Sequence, residues 1–96
     1  MVKLYRHSRH RTSYQTMVET PMGVFAGTIV DVSAGGAQLA GLPGVLHGDR
    51  LTLLFNGMKL TGYVRWAKVG KVGIAFLIPL SGDVVASLRQ GERRSA

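Results

Sequence analysis

Apolar and polar residues alternate along most of this chain with a period of two, the signature of strands that bury one face. Residues 58–67 read MKLTGYVRWA, with Met58, Leu60, Val64 and Trp66 on one face and Lys59, Thr61, Tyr63 and Arg65 on the other. Trp66 is accordingly expected in the core beside Val64, and Tyr63 on the surface. Residues 51–55 (LTLLF) form another strand, and Asn56-Gly57 between the two predicts a tight hairpin. Both central residues of a type I′ turn need positive φ, which Asn and Gly tolerate. Residues 72–78 alternate through Val72, Ile74, Phe76 and Ile78, and pair with the Tyr63 to Trp66 region across a turn at residues 68–71.

Upstream, residues 13–20 are a strand ended by Pro21-Met22-Gly23, residues 24–32 (VFAGTIVDV) a stronger one, and residues 37–40 a short third. A connection punctuated by Gly and Pro spans residues 41–49. Only the end reads as helix. Ser81 can cap it, Asp83 suits its first turn, Val84, Val85 and Leu88 share a face, and Gly91 can stop it. Six short strands and a terminal helix imply an all-β fold, a six-stranded antiparallel β-barrel with a short C-terminal helix as lid or flank. Strand order is not contained in this pattern.

The chain has 96 residues, room for one core, and 46% of them are apolar. The expected organisation is a flexible basic N-terminal arm over residues 1–12, a barrel with its helix over residues 13–91, and a tail over residues 92–96. No apolar run approaches the roughly 18 residues a membrane span needs. No apolar stretch follows the N-terminal charges, which argues against a secretory leader, and without cysteine there is no disulfide framework or thiolate chemistry. These features fit a cytoplasmic protein.

Charge narrows the partners. The net charge of +7 favours anions, and its distribution matters more than its sum. Lys3, Arg6, Arg9 and Arg11 precede the first acidic residue, Glu19, with His7 and His10 among them; Arg89, Arg93 and Arg94 lie at the other end. The middle of the chain is close to neutral, so the charge sits at the ends rather than along a stripe. Five scattered carboxylates and no GxxxxGK[ST], GxSxG or HExxH motif argue against an enzyme. His7 and His10 lack a Cys or carboxylate between them, a weak metal signal. No metal and no cofactor are expected. His47, in a Gly-rich turn, is expected to be exposed.

Two elements carry candidate chemistry. Asp31-Val32-Ser33-Ala34-Gly35-Gly36 closes the second strand. Its Asp and Ser can accept backbone N–H groups and fix a turn, and the paired glycines allow positive φ and close approach of a ligand. Taken alone, it also fits an ordinary turn between strands. The second element is Tyr5-Arg6-His7-Ser8-Arg9-His10-Arg11. Guanidinium forks match phosphate oxygens bidentately and stack on purine rings. Three or four charge-assisted hydrogen bonds of about 1.5–3 kcal/mol each, offset by ordering the arm, reach the roughly 8 kcal/mol of micromolar affinity.

An arginine cluster before the first strand, then DVSAGG closing the second, then GDRLTLLF, MKLTGYVRWA and VGIAF in succession resembles a PilZ domain from about Tyr5 to Leu88. The resemblance implies a six-stranded barrel that binds the bacterial second messenger cyclic di-GMP. Arginines would clamp phosphates and stack on guanine, Asp31 and Ser33 would read guanine edges, and Gly36 would shape the turn, with Gly35 an extra glycine in its variable part. The family's two arginines stand four residues apart, and in this N-terminal cluster no pair does. YRHSR puts Tyr5 and Arg9 at those positions, HSRHR puts His7 and Arg11 there, and Arg6 or Arg9 substitutes for the missing one. The nucleotide-binding set is therefore Arg6, Arg9, Arg11, Asp31, Ser33, Gly35 and Gly36. The implied function is a stand-alone receptor that signals by ordering its arm and contacting an effector protein of motility, polysaccharide or secretion machinery. Two alternatives stay open: an adaptor that has lost the nucleotide and acts by protein contact, and a basic barrel that binds nucleic acid. The last is disfavoured because Tyr63 alone reads as an exposed strand aromatic and the charge sits at the ends.

Overall fold

The computed structural model describes residues 10–89. Six strands run β1 (His10–Thr20), β2 (Gly23–Val32), β3 (Gly36–Ala40), β4 (Arg50–Phe55), β5 (Met58–Lys68) and β6 (Lys71–Phe76), followed by helix α1 (Gly82–Arg89). They close into a barrel in the order β1-β2-β3-β6-β5-β4, every neighbouring pair antiparallel. β1 starts at His10, three residues before the expected start, so residues 10–12 belong to the barrel and not to an arm. The β1–β2 ladder tolerates this by a register irregularity between Arg11 and Tyr14.

Inward positions follow the alternation. Leu51, Leu53 and Phe55 of β4, Val64 of β5 and Val72, Ile74 and Phe76 of β6 are buried together with Val18, Ile29, Val32, Ala37 and Leu39. Tyr14 packs edge-on against Phe55, ring centroids 5.5 Å apart. The β4–β5 hairpin turns through Asn56 at φ 50° and Gly57 at φ 77°, the paired positive φ angles that the sequence predicts. On the outer face, the Thr52 and Thr61 hydroxyls hydrogen-bond across this hairpin at 2.9 Å. Helix α1 is capped as expected, the Val84 amide donating to Ser81 Oγ at 3.2 Å. It packs against β1 and β2 and buries Leu88 in the core.

Two apolar residues do not go where the alternation sends them. β6 ends at Phe76, and Ile78 is 76% exposed instead of inward. Leu77 still donates its amide to the Thr61 carbonyl, after which Pro79 brings an N that cannot extend the ladder. Trp66 is absent from the core. The β5–β6 register jumps from Val64↔Ile74 to Trp66↔Gly73, leaving Arg65 as the extra residue of a bulge. Gly73 alternates with the buried Val72 and Ile74, so Trp66 opposite it faces outward.

Candidate ligand-binding face

The DVSAGG segment is the β2–β3 turn. Ser33 closes it by donating its amide to the Gly36 carbonyl at 2.9 Å, and its Oγ donates to the same oxygen at 3.4 Å. The expected direction, with Ser33 accepting a backbone N–H, is thus reversed. The turn is held from outside as well. Phe76 donates its amide to the Gly35 carbonyl at 2.9 Å, and Leu80 donates to the Ala34 carbonyl at 2.8 Å. Both carbonyls are therefore engaged, and the turn is tied to the end of β6 and to the segment before α1.

The paired glycines also work differently from expectation. Neither Gly35 nor Gly36 has a positive φ. A Cβ on Gly36 would overlap the Ile74 carbonyl oxygen, so its glycine serves the close approach of β3 to β6. Gly35 is exposed with open space around it, the one of the pair that leaves room for a ligand.

Bulges decide what the outer face presents. Ile29 is fully buried, so strict alternation along β2 would send Asp31 inward as well. The β2–β3 register instead shifts between Ile29 and Asp31, with Ile29 opposite Leu39 and Asp31 opposite Gln38. The inserted Val30 rotates Asp31 to the outside and turns Val32 into the core, where it is 1% exposed. The bulge at Arg65 does the same for Trp66. Bulges commonly re-aim side chains in this way.

Register then aligns the re-aimed residues. Arg11 stands opposite Asp31, Asp31 opposite Gln38, Gln38 opposite Gly73, and Gly73 opposite Trp66. One cross-strand row thus runs from β1 to β5, and three strand spacings separate Asp31 from Trp66, about 14 Å. The next row contains Gly36, Ala75, Tyr63 and Arg50. Between the acidic end and the aromatic end lie Gln38, Gly36, Gly73 and Ala75, so Gln38 supplies the one long side chain of an otherwise low floor. The Trp66 indole lies against Gly73, where a Cβ would overlap it. Lys68 Nζ sits 5.5 Å from its ring centroid, and Tyr63 is 40% exposed. A flat, shallow shelf edged by a carboxylate, a hydroxyl, aromatic rings and cations suits a planar heterocycle bearing phosphates.

Of the expected residues, Arg11, Asp31, Ser33, Gly35 and Gly36 come together at one end of this shelf. Arg6 and Arg9 lie outside the described residues. Trp66 and Gln38 were not expected there. The available signal was Gly73, a glycine inside a strand, which often marks close approach of another group. His47 is exposed. Among the described residues no three His, Cys, Asp or Glu side chains gather as for a metal, and no helix is long and apolar enough to cross a membrane.

Barrel, turn and shelf together define a small all-β binding domain. A model of the PilZ domain matches residues 4–91, nearly the whole chain, and the chain belongs to that family of cyclic di-GMP receptor domains. Among solved structures, it is similar to the crystal structure of the PilZ domain of CeSA from a cellulose-synthesizing bacterium. The two share 20% identity with a TM-score of 0.65, over 91% of this chain and 99% of that one. At that identity the likeness carries the barrel fold. No curated protein matches the sequence.

Proposed function

We propose that this chain is a receptor that binds cyclic di-GMP on the shelf between Asp31 and Trp66 and passes the signal to a partner protein. The observation that carries the reading is the double bulge. Two independent register shifts each bring a recognition-type side chain out of the inward phase, and both land in one row. Guanine offers N–H donors on its edge, which a carboxylate oxygen can accept, and Asp31 is the carboxylate at the turn. Trp66 and Tyr63 give faces for stacking. Arg11 stands at the Asp31 end of the row, and Arg6 and Arg9 precede it in the chain, so guanidinium forks can reach the phosphates of a ligand lying there.

Transmission follows from how the turn is held. The Leu80 amide on the Ala34 carbonyl joins the ligand end of the barrel to residues 77–80, where Leu77 and Ile78 are exposed beside a groove of about 440 Å³. A ligand that shifts the turn shifts this apolar segment, and closing the Arg6 and Arg9 segment over the ligand changes the surface nearby. Both changes alter what an effector meets.

Isothermal titration with cyclic di-GMP tests the reading, with GTP and Arg9→Ala as controls. Micromolar binding, about −8 kcal/mol, is expected, with no comparable heat from GTP and a large loss in Arg9→Ala. Absence of heat at high micromolar ligand would leave a PilZ domain that acts by protein contact alone.

A further inference from the structure

We infer that the outer face of the β5–β6 ribbon binds single-stranded nucleic acid, beyond the cyclic dinucleotide that the shelf would take. Lys59, Arg65, Lys68 and Lys71 are all exposed on this ribbon, and neither strand carries a carboxylate. The positive charge of the chain is thus not confined to its ends. The barrel sorts a nearly neutral middle into one cationic face.

One arrangement on it is locally unfavourable. Lys68 stands directly opposite Lys71 where the hairpin closes, and like charges so placed destabilise a ladder. An external anion would relieve them. Two aromatics share the face, Tyr63 at 40% exposure and Trp66 turned out by its bulge, and their rings are the stacking partners that unpaired bases use. Base stacking on such rings contributes specificity for unstacked strands, because a duplex keeps its base faces covered. β5 has 11 residues, about 35 Å of strand, which spans several nucleotides and fits the roughly 4–16 that small barrels occupy.

The test is fluorescence anisotropy with labelled oligothymidine and oligouridine of about fifteen nucleotides, read together with the emission of Trp66, the only tryptophan. Binding should quench Trp66. Each phosphate contact adds about −0.7 to the slope of log affinity against log salt, so four contacts predict about 50-fold weakening between about 50 mM and about 200 mM salt. The Lys68→Gln/Lys71→Gln double variant, which removes the like-charge pair and should fold at least as well, should bind at least tenfold more weakly. Tyr63→Ala should also weaken binding. Three results would overturn the inference: no binding at low salt, equal affinity for polyglutamate, or binding that leaves Trp66 emission and the double variant unaffected. The last would assign binding to cations elsewhere in the chain. The inference does not rest on cyclic di-GMP recognition. Oligonucleotide binding with no heat from cyclic di-GMP would support it alone, and displacement of the oligonucleotide by cyclic di-GMP would support both.

Discussion

Gly36→Ala is expected to lower the stability of the fold by about 3 kcal/mol, the upper range for forcing extra volume into a packed site. Its neighbour is not a flexible side chain that can swing away but the Ile74 carbonyl oxygen of β6. Relief requires β3 and β6 to part, and the adjacent bond from the Phe76 amide to the Gly35 carbonyl would strain with them. Gly35→Ala should change stability by no more than about 0.5 kcal/mol, because nothing lies within 4 Å of its added Cβ. Urea unfolding of the two variants beside the parent protein measures both. Equal losses would mean that Gly36 does not hold the strands as close as described. The pair also separates two meanings of the same residue type within one motif. Gly36 closes the barrel, and Gly35 clears the space outside it.

Asp31→Asn should weaken cyclic di-GMP binding about tenfold to 100-fold, the loss of a hydrogen bond to a charged group worth about 1.5–3 kcal/mol. The substitution keeps the shape of the side chain but turns one of two acceptors into a donor, which meets the donors of a guanine edge with the wrong polarity. Because Asp31 is half-buried beside β1 and β3, thermal unfolding of the variant must accompany the titration. Unchanged affinity in a folded variant would remove Asp31 from the site and leave the phosphate contacts to carry recognition.

Much of the barrel could be read from the chain because period-two alternation reports directly on which residues face in. β4, the Asn56-Gly57 hairpin and the buried Val72, Ile74 and Phe76 follow from it, as does the capped helix. Strand order could not be read, since β3 beside β6 and β1 beside β4 are joined by pairings remote in sequence. Residues of the candidate site near the turn could be nominated from the chain, but the row that aligns them with Trp66 could not. A bulge adds a residue without changing composition, so Val64 and Trp66 look like members of one face although the backbone turns them apart. The same event in β2 frees Asp31, which simple alternation from Ile29 would have buried. Ile78 misled for another reason: its apolar character continues the pattern of β6 after the strand has ended at Phe76. The motif leads one to expect positive φ and close approach of a ligand at the paired glycines, whereas at Gly36 it is the close approach of β3 to β6 that requires glycine.

The most direct test of the central claim is a two-dimensional amide correlation spectrum of labelled protein titrated with cyclic di-GMP. The shelf predicts that amides of Asp31, Ser33, Gly35, Gln38 and Gly73 and the indole N–H of Trp66 shift together and saturate with one affinity, followed by the Leu80 amide that holds the turn. Shifts confined to other strands, or a Trp66 indole signal that stays in place while the turn responds, would contradict a ligand lying across the row from Asp31 to Trp66.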